Sequence, residues 1–150
     1  MASEVPVHFS IVMESKPSGL REPCQRLLSI LDEKGYTQDD VFAVHLALEE
    51  AFLNAVKHGN KMDPSKKVTL EYLVDDEKVE IRMADEGPGF DPRSIPDPRM
   101  GENLYRPEGR GLLLMTTYMD MVEYNDQGNG LCMVRYKKRP VSGQPRATIV

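Results

Sequence analysis

A chain of 150 residues with 40% hydrophobic and 29% charged residues fits one domain that buries its own core without disulfide or metal support. Its formal charge of −5 argues against a surface that grips nucleic acid through its phosphates, because that binding needs clustered Lys and Arg. The one basic run, KKR at Lys137 to Arg139, reads as the solvated end of a strand.

Cys24 and Cys132 stand far apart, without a CxxC pair or a Cys/His partner, so neither a disulfide framework nor a metal site is expected. The start, MASEVPVHFS, has no basic segment followed by an apolar run, and so no secretory signal. No stretch approaches the roughly 20 apolar residues needed to span a bilayer. The expectation is a cytoplasmic protein with no membrane contact.

In chain order, Val5, Val7, Phe9, Ile11 and Met13 alternate with mostly polar residues, the period-2 pattern of a half-buried strand. Leu20, Cys24, Leu27, Leu28 and Leu31 recur at helical spacing up to Gly35, a helix stop. Thr37 is placed to cap a second helix, with Asp39 and Asp40 in its first turn, and this helix is expected to run to Gly59. Val68 to Val74 and Val79 to Met83 read as two strands joined by a DDEK turn. A long Pro- and Gly-rich stretch, DEGPGFDPRSIPDPRMGENLYRPEGRG, has no periodic pattern and reads as a lid or binding loop. GLLLMTTYMD reads as a short buried helix, and MVEYND and LCMVRYKK as a closing hairpin around QGNG. The order β-α-α-β-β-α-β-β predicts an α+β fold, a two-layer sandwich of a mostly antiparallel sheet with helices on one face.

Three stretches carry polar groups that this architecture does not require. In EEAFLNAVKHGN, Glu50 and Asn54 lie one helical turn apart, with Lys57 and His58 following. Alone, that is a solvated helix face. In DEGPGF, Asp85 ends a strand and is followed by Gly87 and Gly89, which alone is a tight turn. In GRGLLLM, Gly109 and Gly111 open a helix whose free N–H groups could cradle a phosphate. Alone, the same glycines could serve close helix packing.

Taken together, in this order, EAxxNAxxHG, DxGxGF and GxGLxLM resemble the nucleotide site of the GHKL, or histidine kinase-like, ATPase superfamily. Within it the chain looks most like the anti-sigma factor serine/threonine kinases, over roughly residues 5 to 138. The resemblance implies a Bergerat-type ATP-binding fold over residues 1–138, a lid at about 91–109, and a flexible tail at 139–150. It implies ATP and Mg2+ as cofactors. Asp85 would accept a hydrogen bond from the adenine amino group, with Gly87 and Gly89 letting the backbone pass close to the base. Asn54 would hold Mg2+ through its amide oxygen. Glu50 would be the catalytic acid-base group. Gly109, Gly111 and Leu112 would offer backbone N–H groups to the phosphates. His58 would lie beside those phosphates, and Lys57 would neutralise them or simply face solvent. Arg106 and Arg110 would suit the γ-phosphate, since a planar guanidinium matches phosphate oxygens. Cys132 stands where the family often has a Thr near the adenine.

The resemblance further implies a homodimer with two alternative partners. One is a sigma factor, held from RNA polymerase. The other is a STAS-domain antagonist, phosphorylated on Ser or Thr. A second reading is a nucleotide-binding interaction module without phosphotransfer, in a partner-switching pathway. Glu50 favours the kinase, because a pure binder has no use for a carboxylate there. A histidine kinase would need an upstream dimerisation helix, and the segment before the second helix already supplies a strand and a helix.

Overall fold

The computed structural model describes residues 5–89 and 107–137, with the helix path but not the side chains for 107–111. The elements follow the expected order: β1 (Val7–Glu14), a 3-10 turn (Pro17–Leu20), α1 (Arg21–Glu33), α2 (Gln38–Asn54), a π-helical turn (Ala55–Gly59), β2 (Lys67–Val74), β3 (Lys78–Asp85), α3 (Pro107–Tyr118), β4 (Met121–Tyr124) and β5 (Gly130–Tyr136). The strands form one sheet in the order β1-β2-β3-β5-β4. Every neighbouring pair is antiparallel.

Alternation along the strands sorts the two faces. Val68, Leu70, Tyr72 and Val74 of β2 are buried with Val79, Ile81 and Met83 of β3 and Leu131 and Met133 of β5. They join one core with Leu27 and Leu31 of α1, Val44, Leu48 and Phe52 of α2, and Leu112 and Met115 of α3. The intervening positions, among them Thr69, Glu71, Glu80, Arg82, Glu123 and Cys132, line the opposite face of the sheet. The result is the α+β, two-layer arrangement expected from the pattern, with α2 packed between α1 and α3.

The predicted stops and caps have definite geometry. Gly35 adopts φ +81° beyond α1, and the Tyr36 N–H returns to the Leu31 carbonyl at 3.0 Å. Thr37 caps α2 through a reciprocal box: Asp40 N–H donates to Thr37 Oγ1 at 3.1 Å, and Thr37 N–H donates to Asp40 Oδ2 at 3.3 Å. The other oxygen of Asp40 pairs with Arg135 Nε at 2.8 Å, and both side chains are buried. Arg135 also donates from Nη1 to the Tyr118 carbonyl at 2.6 Å, satisfying an orphan acceptor at the end of α3. One buried cluster thus ties the start of α2 to the end of α3 and to β5.

Three local expectations are corrected. Lys137 is not simply solvated: its Nζ donates to the Lys34 carbonyl at 2.6 Å and lies 5.2 Å from the Tyr36 ring centroid, covering the C-terminal end of α1. Second, α2 does not stay α-helical to Gly59. Its last five residues widen into a π turn, with Asn60 N–H bonded to the Ala55 carbonyl at 2.8 Å. Third, α3 starts at Pro107 rather than at Gly111. Proline suits a first helical position, where its missing N–H costs nothing.

Candidate functional site

On α2, Glu50 and Asn54 are both half-buried. Their neighbour Glu49 is exposed and pairs with His45 at 2.8 Å on the side of α2 that faces α1. Two adjacent carboxylates of one sequence therefore have different surroundings, and Glu50 belongs to the same side as Asn54. Lys57 and His58 sit in the π turn and are exposed. The change of helical step after Asn54 means they do not simply continue its line.

Asp85 closes β3, opposite Val68. Its backbone N–H donates to the Asn129 carbonyl at 2.9 Å, and its Oδ1 accepts from Gly87 N–H at 2.8 Å. Burial pushes the Asp85 carboxyl above its ordinary range, while the Gly87 N–H and the charge of Lys66 pull it back down. Burial also pushes the Tyr124 phenol up to about 12, with the charge of Asp85 adding to the effect.

The glycines are steric requirements. A Cβ on Gly59 would collide with the Asp85 carboxylate, and one on Gly87 would collide with the Gly59 carbonyl. Gly89 has φ +78° and passes so close to the Gln127 carbonyl that no side chain fits. The first two of the three sequence stretches are therefore brought together: the turn that follows Asn54 lies directly against Asp85 and Gly87.

The third stretch opens α3, which packs beside α2. Gly109 and Arg110 lie in the first turn of α3 and Gly111 just beyond it. The Leu112 side chain is 3% exposed and forms part of the core. Arg106 and the lid from 91 to 106 lie outside the described residues, as does the tail from 139 to 150, and the side chain of Arg110 is not described.

Cys132 is not beside Asp85. It pairs with Arg82 across the β3–β5 ladder and its Sγ lies 3.9 Å from Glu80 Oε1. With a side-chain period of two, it faces away from the helices, whereas Asp85 shares the face of Met83. The strand position that faces the helices is Leu131 or Met133.

Three contributors escaped sequence reasoning. Gly59 looked like a helix stop, Asn60 like a polar residue after it, and Asn129 like a turn residue. Yet Asn129 holds the Asp85 backbone and its Nδ2 donates to the Gly87 carbonyl at 3.4 Å. The only signal was the HGN run itself, a Gly-Asn pair directly after the helix.

The donor chemistry suits Mg2+ shared with phosphates. Among the described residues no group of three or more His, Cys, Asp or Glu is arranged to hold a metal. A single amide oxygen, half-buried on a helix, matches an ion that keeps several waters and takes its remaining ligands from a substrate.

A family model for the histidine kinase-like ATPase domain matches residues 13–135. The chain belongs to that family. It is 31% identical over 135 residues to the serine-protein kinase RsbW of Listeria monocytogenes serotype 4a (strain HCC23), covering 85% of this chain and 86% of that one. It is 35% identical over 123 residues to the serine-protein kinase RsbW of Bacillus licheniformis, covering 75% of each. With the enzyme of the same name from Bacillus subtilis (strain 168), identity is 32% over 120 residues, or 73% of each. These similarities put the chain in the serine-protein kinase branch of the family. The fold is also similar to the crystal structure of the RsbU and RsbW domains of Rv1364c from Mycobacterium tuberculosis. The TM-score there is 0.58 at 18% identity, covering 91% of this chain and 33% of that one, so this chain spans about a third of that protein's length. No helix among the described residues is long and apolar enough to cross a membrane.

Proposed function

We propose that this chain is an ATP-dependent serine/threonine protein kinase that acts as an anti-sigma factor. The observation that carries the reading is the packing of the Ala55–Gly59 turn, one residue past Asn54, against Asp85 and Gly87. It supports the reading because the end of the helix that carries Glu50 and Asn54 meets Asp85, a carboxylate suited to an adenine amino group.

The proposed chemistry is in-line phosphoryl transfer. Asp85 accepts from the adenine amino group, which selects adenine over guanine because guanine presents a carbonyl there. Asn54 is the residue that would hold Mg2+, which offsets phosphate charge when bound. In this reading the backbone N–H groups at Gly109 and Gly111, together with His58 and Arg110, would serve the phosphates. Glu50 orients the hydroxyl of a Ser or Thr on the protein substrate and takes its proton as the oxygen bonds to the γ-phosphorus. The bond from that phosphorus to the bridging oxygen breaks, and ADP leaves. Such catalysis comes mainly from positioning and charge neutralisation.

The substrate of this reading is a STAS-domain antagonist, and the alternative partner is a sigma factor held away from RNA polymerase. The working unit is a homodimer in the cytoplasm. Support comes from the likeness to serine-protein kinases along most of the chain and from the three-stretch motif. The test is incubation of the protein with a STAS-domain substrate and γ-labelled Mg-ATP. Label on a Ser or Thr, lost with Glu50→Gln, is the expected result. ATP binding with no transfer to any such substrate overturns the kinase reading in favour of an interaction module.

A further inference from the structure

Asn60 follows the π turn and is 1% exposed. An amide carried so deep must use its donors and acceptor or cost stability. It uses all three sites. Nδ2 donates to the Lys67 carbonyl at 2.9 Å and to Ser15 Oγ at 3.2 Å. Oδ1 accepts from the Glu86 N–H at 2.8 Å. The amide orientation is fixed by its partners, because a carbonyl on one side and an N–H on the other allow only one placement of O and N.

The partners are well separated in the chain and meet at one place. Ser15 follows β1, Lys67 opens β2, and Glu86 stands between Asp85 and Gly87. The Asn60 backbone N–H also closes the π turn on the Ala55 carbonyl. Glu86 is held a second time, since the Lys67 N–H donates to its Oε1. One side chain thus joins the end of the helix that carries Glu50 and Asn54 to the first peptide of the loop that carries Asp85.

We propose that Asn60 is a positioning residue for adenine recognition: its Oδ1, bonded to the Glu86 N–H, sets where the Asp85 carboxylate stands relative to α2. The inference rests on the reading of Asp85 as the adenine acceptor. Asn60 does not touch the nucleotide. The Glu86 peptide is the hinge by which Asp85 and Gly87 would move, and Gly87 N–H is the group that orients the Asp85 carboxylate. A shift of a few tenths of an ångström there misaligns a directional hydrogen bond to the base, while the phosphate end of the site, on α2 and α3, keeps its geometry.

The test compares Mg-ATP and Mg-GTP affinities of the full chain by displacement of a fluorescent ADP analogue. Asn60→Ala is expected to weaken ATP by about tenfold or more and GTP by less than about twofold, so selectivity collapses. A purely structural role would weaken both together. An unchanged ATP-to-GTP ratio, whether both affinities hold or both fall, overturns the proposal. Ser15→Ala removes one Nδ2 partner and leaves the Oδ1 bond to the Glu86 N–H, so its ATP-to-GTP ratio is expected to stay within about threefold of wild type. It carries the test if the Asn60 variant does not fold, and a loss of about tenfold or more in that ratio in Ser15→Ala overturns the proposal as well. Wild-type protein that binds no ATP would instead remove the adenine reading beneath it.

Discussion

Gly59 holds its backbone against the Asp85 carboxylate, so closely that a Cβ at position 59 would collide with both carboxylate oxygens. The contact joins the end of the helix with Glu50 and Asn54 to the loop with Asp85, Gly87 and Gly89. It also makes Gly59 irreplaceable for a reason unrelated to its φ angle. Gly59→Ala is expected to push Asp85 aside, lowering ATP affinity by about tenfold or more. The strain should cost roughly 1–3 kcal/mol of stability. Calorimetric titration and urea denaturation check the two effects separately, and unchanged ATP affinity contradicts the assigned contact.

Asn54 offers the amide oxygen assigned to Mg2+. Asn54→Ala should lower ATP affinity in Mg2+ by about tenfold or more, to the level seen in EDTA. Affinity in EDTA should not change. A variant that still gains from Mg2+ as the wild type does would remove Asn54 from the metal.

Glu50 is assigned to the substrate hydroxyl, not to ATP. Glu50→Gln should therefore bind Mg-ATP normally and lose roughly 100- to 10,000-fold in transfer rate. Single-turnover labelling separates the two quantities. Full transfer activity takes Glu50 out of the chemistry.

Asp85 gives the site a pH dependence of definite sign. Its carboxyl is raised in the folded protein by burial. Between the unfolded value and the raised folded value, the folded state binds more protons, so stability falls as pH rises through that window and stays lower above it. With Asp85 as the proposed adenine acceptor, ATP affinity should run the opposite way, because the amino group would donate to the ionised carboxylate, and it should fade as pH drops through the raised value. Asp85→Asn should stabilise the nucleotide-free protein near neutral pH, weaken ATP binding and flatten its pH profile. Melting curves and titrations over the acid range measure both.

Asp40 and Arg135 form a buried pair at 2.8 Å that also serves the α2 cap and the Tyr118 carbonyl. Asp40→Ala leaves a buried guanidinium unpaired and should cost roughly 3–5 kcal/mol. Chemical denaturation gives the value, and a loss under about 1 kcal/mol would show the pair to be no more than an exposed one.

Much of the architecture was legible because its signals are local. Alternation named the strands, Thr37 with Asp40 announced the start of α2, Gly35 marked the end of α1, and Asp75 turned the β2–β3 hairpin by accepting from the Glu77 and Lys78 N–H groups. What escaped depends on tertiary contact. The π turn is closed by Asn60, whose side chain finds its partners on β2, after β1 and in the Asp85 loop. Nothing within the helix reveals that. Lys137 looked solvated because its acceptor, the Lys34 carbonyl, is distant in sequence. Cys132 was misplaced by motif spacing alone: a one-residue offset in a strand moves a side chain to the other face. Of the three stretches, the first two meet where the turn after Asn54 packs against Asp85 and Gly87. The steric role of Gly59 required the packed structure to see.

The proposed site, built from α2 and the Asp85 loop, is Mg-dependent and adenine-selective. Calorimetric titration of the wild-type protein with ATP, in Mg2+ and in EDTA, with GTP as control, tests it most directly. Saturable ATP binding that strengthens with Mg2+ and far exceeds GTP binding is the expected result. Equal binding of ATP and GTP, or no binding of ATP with Mg2+ present, would contradict it.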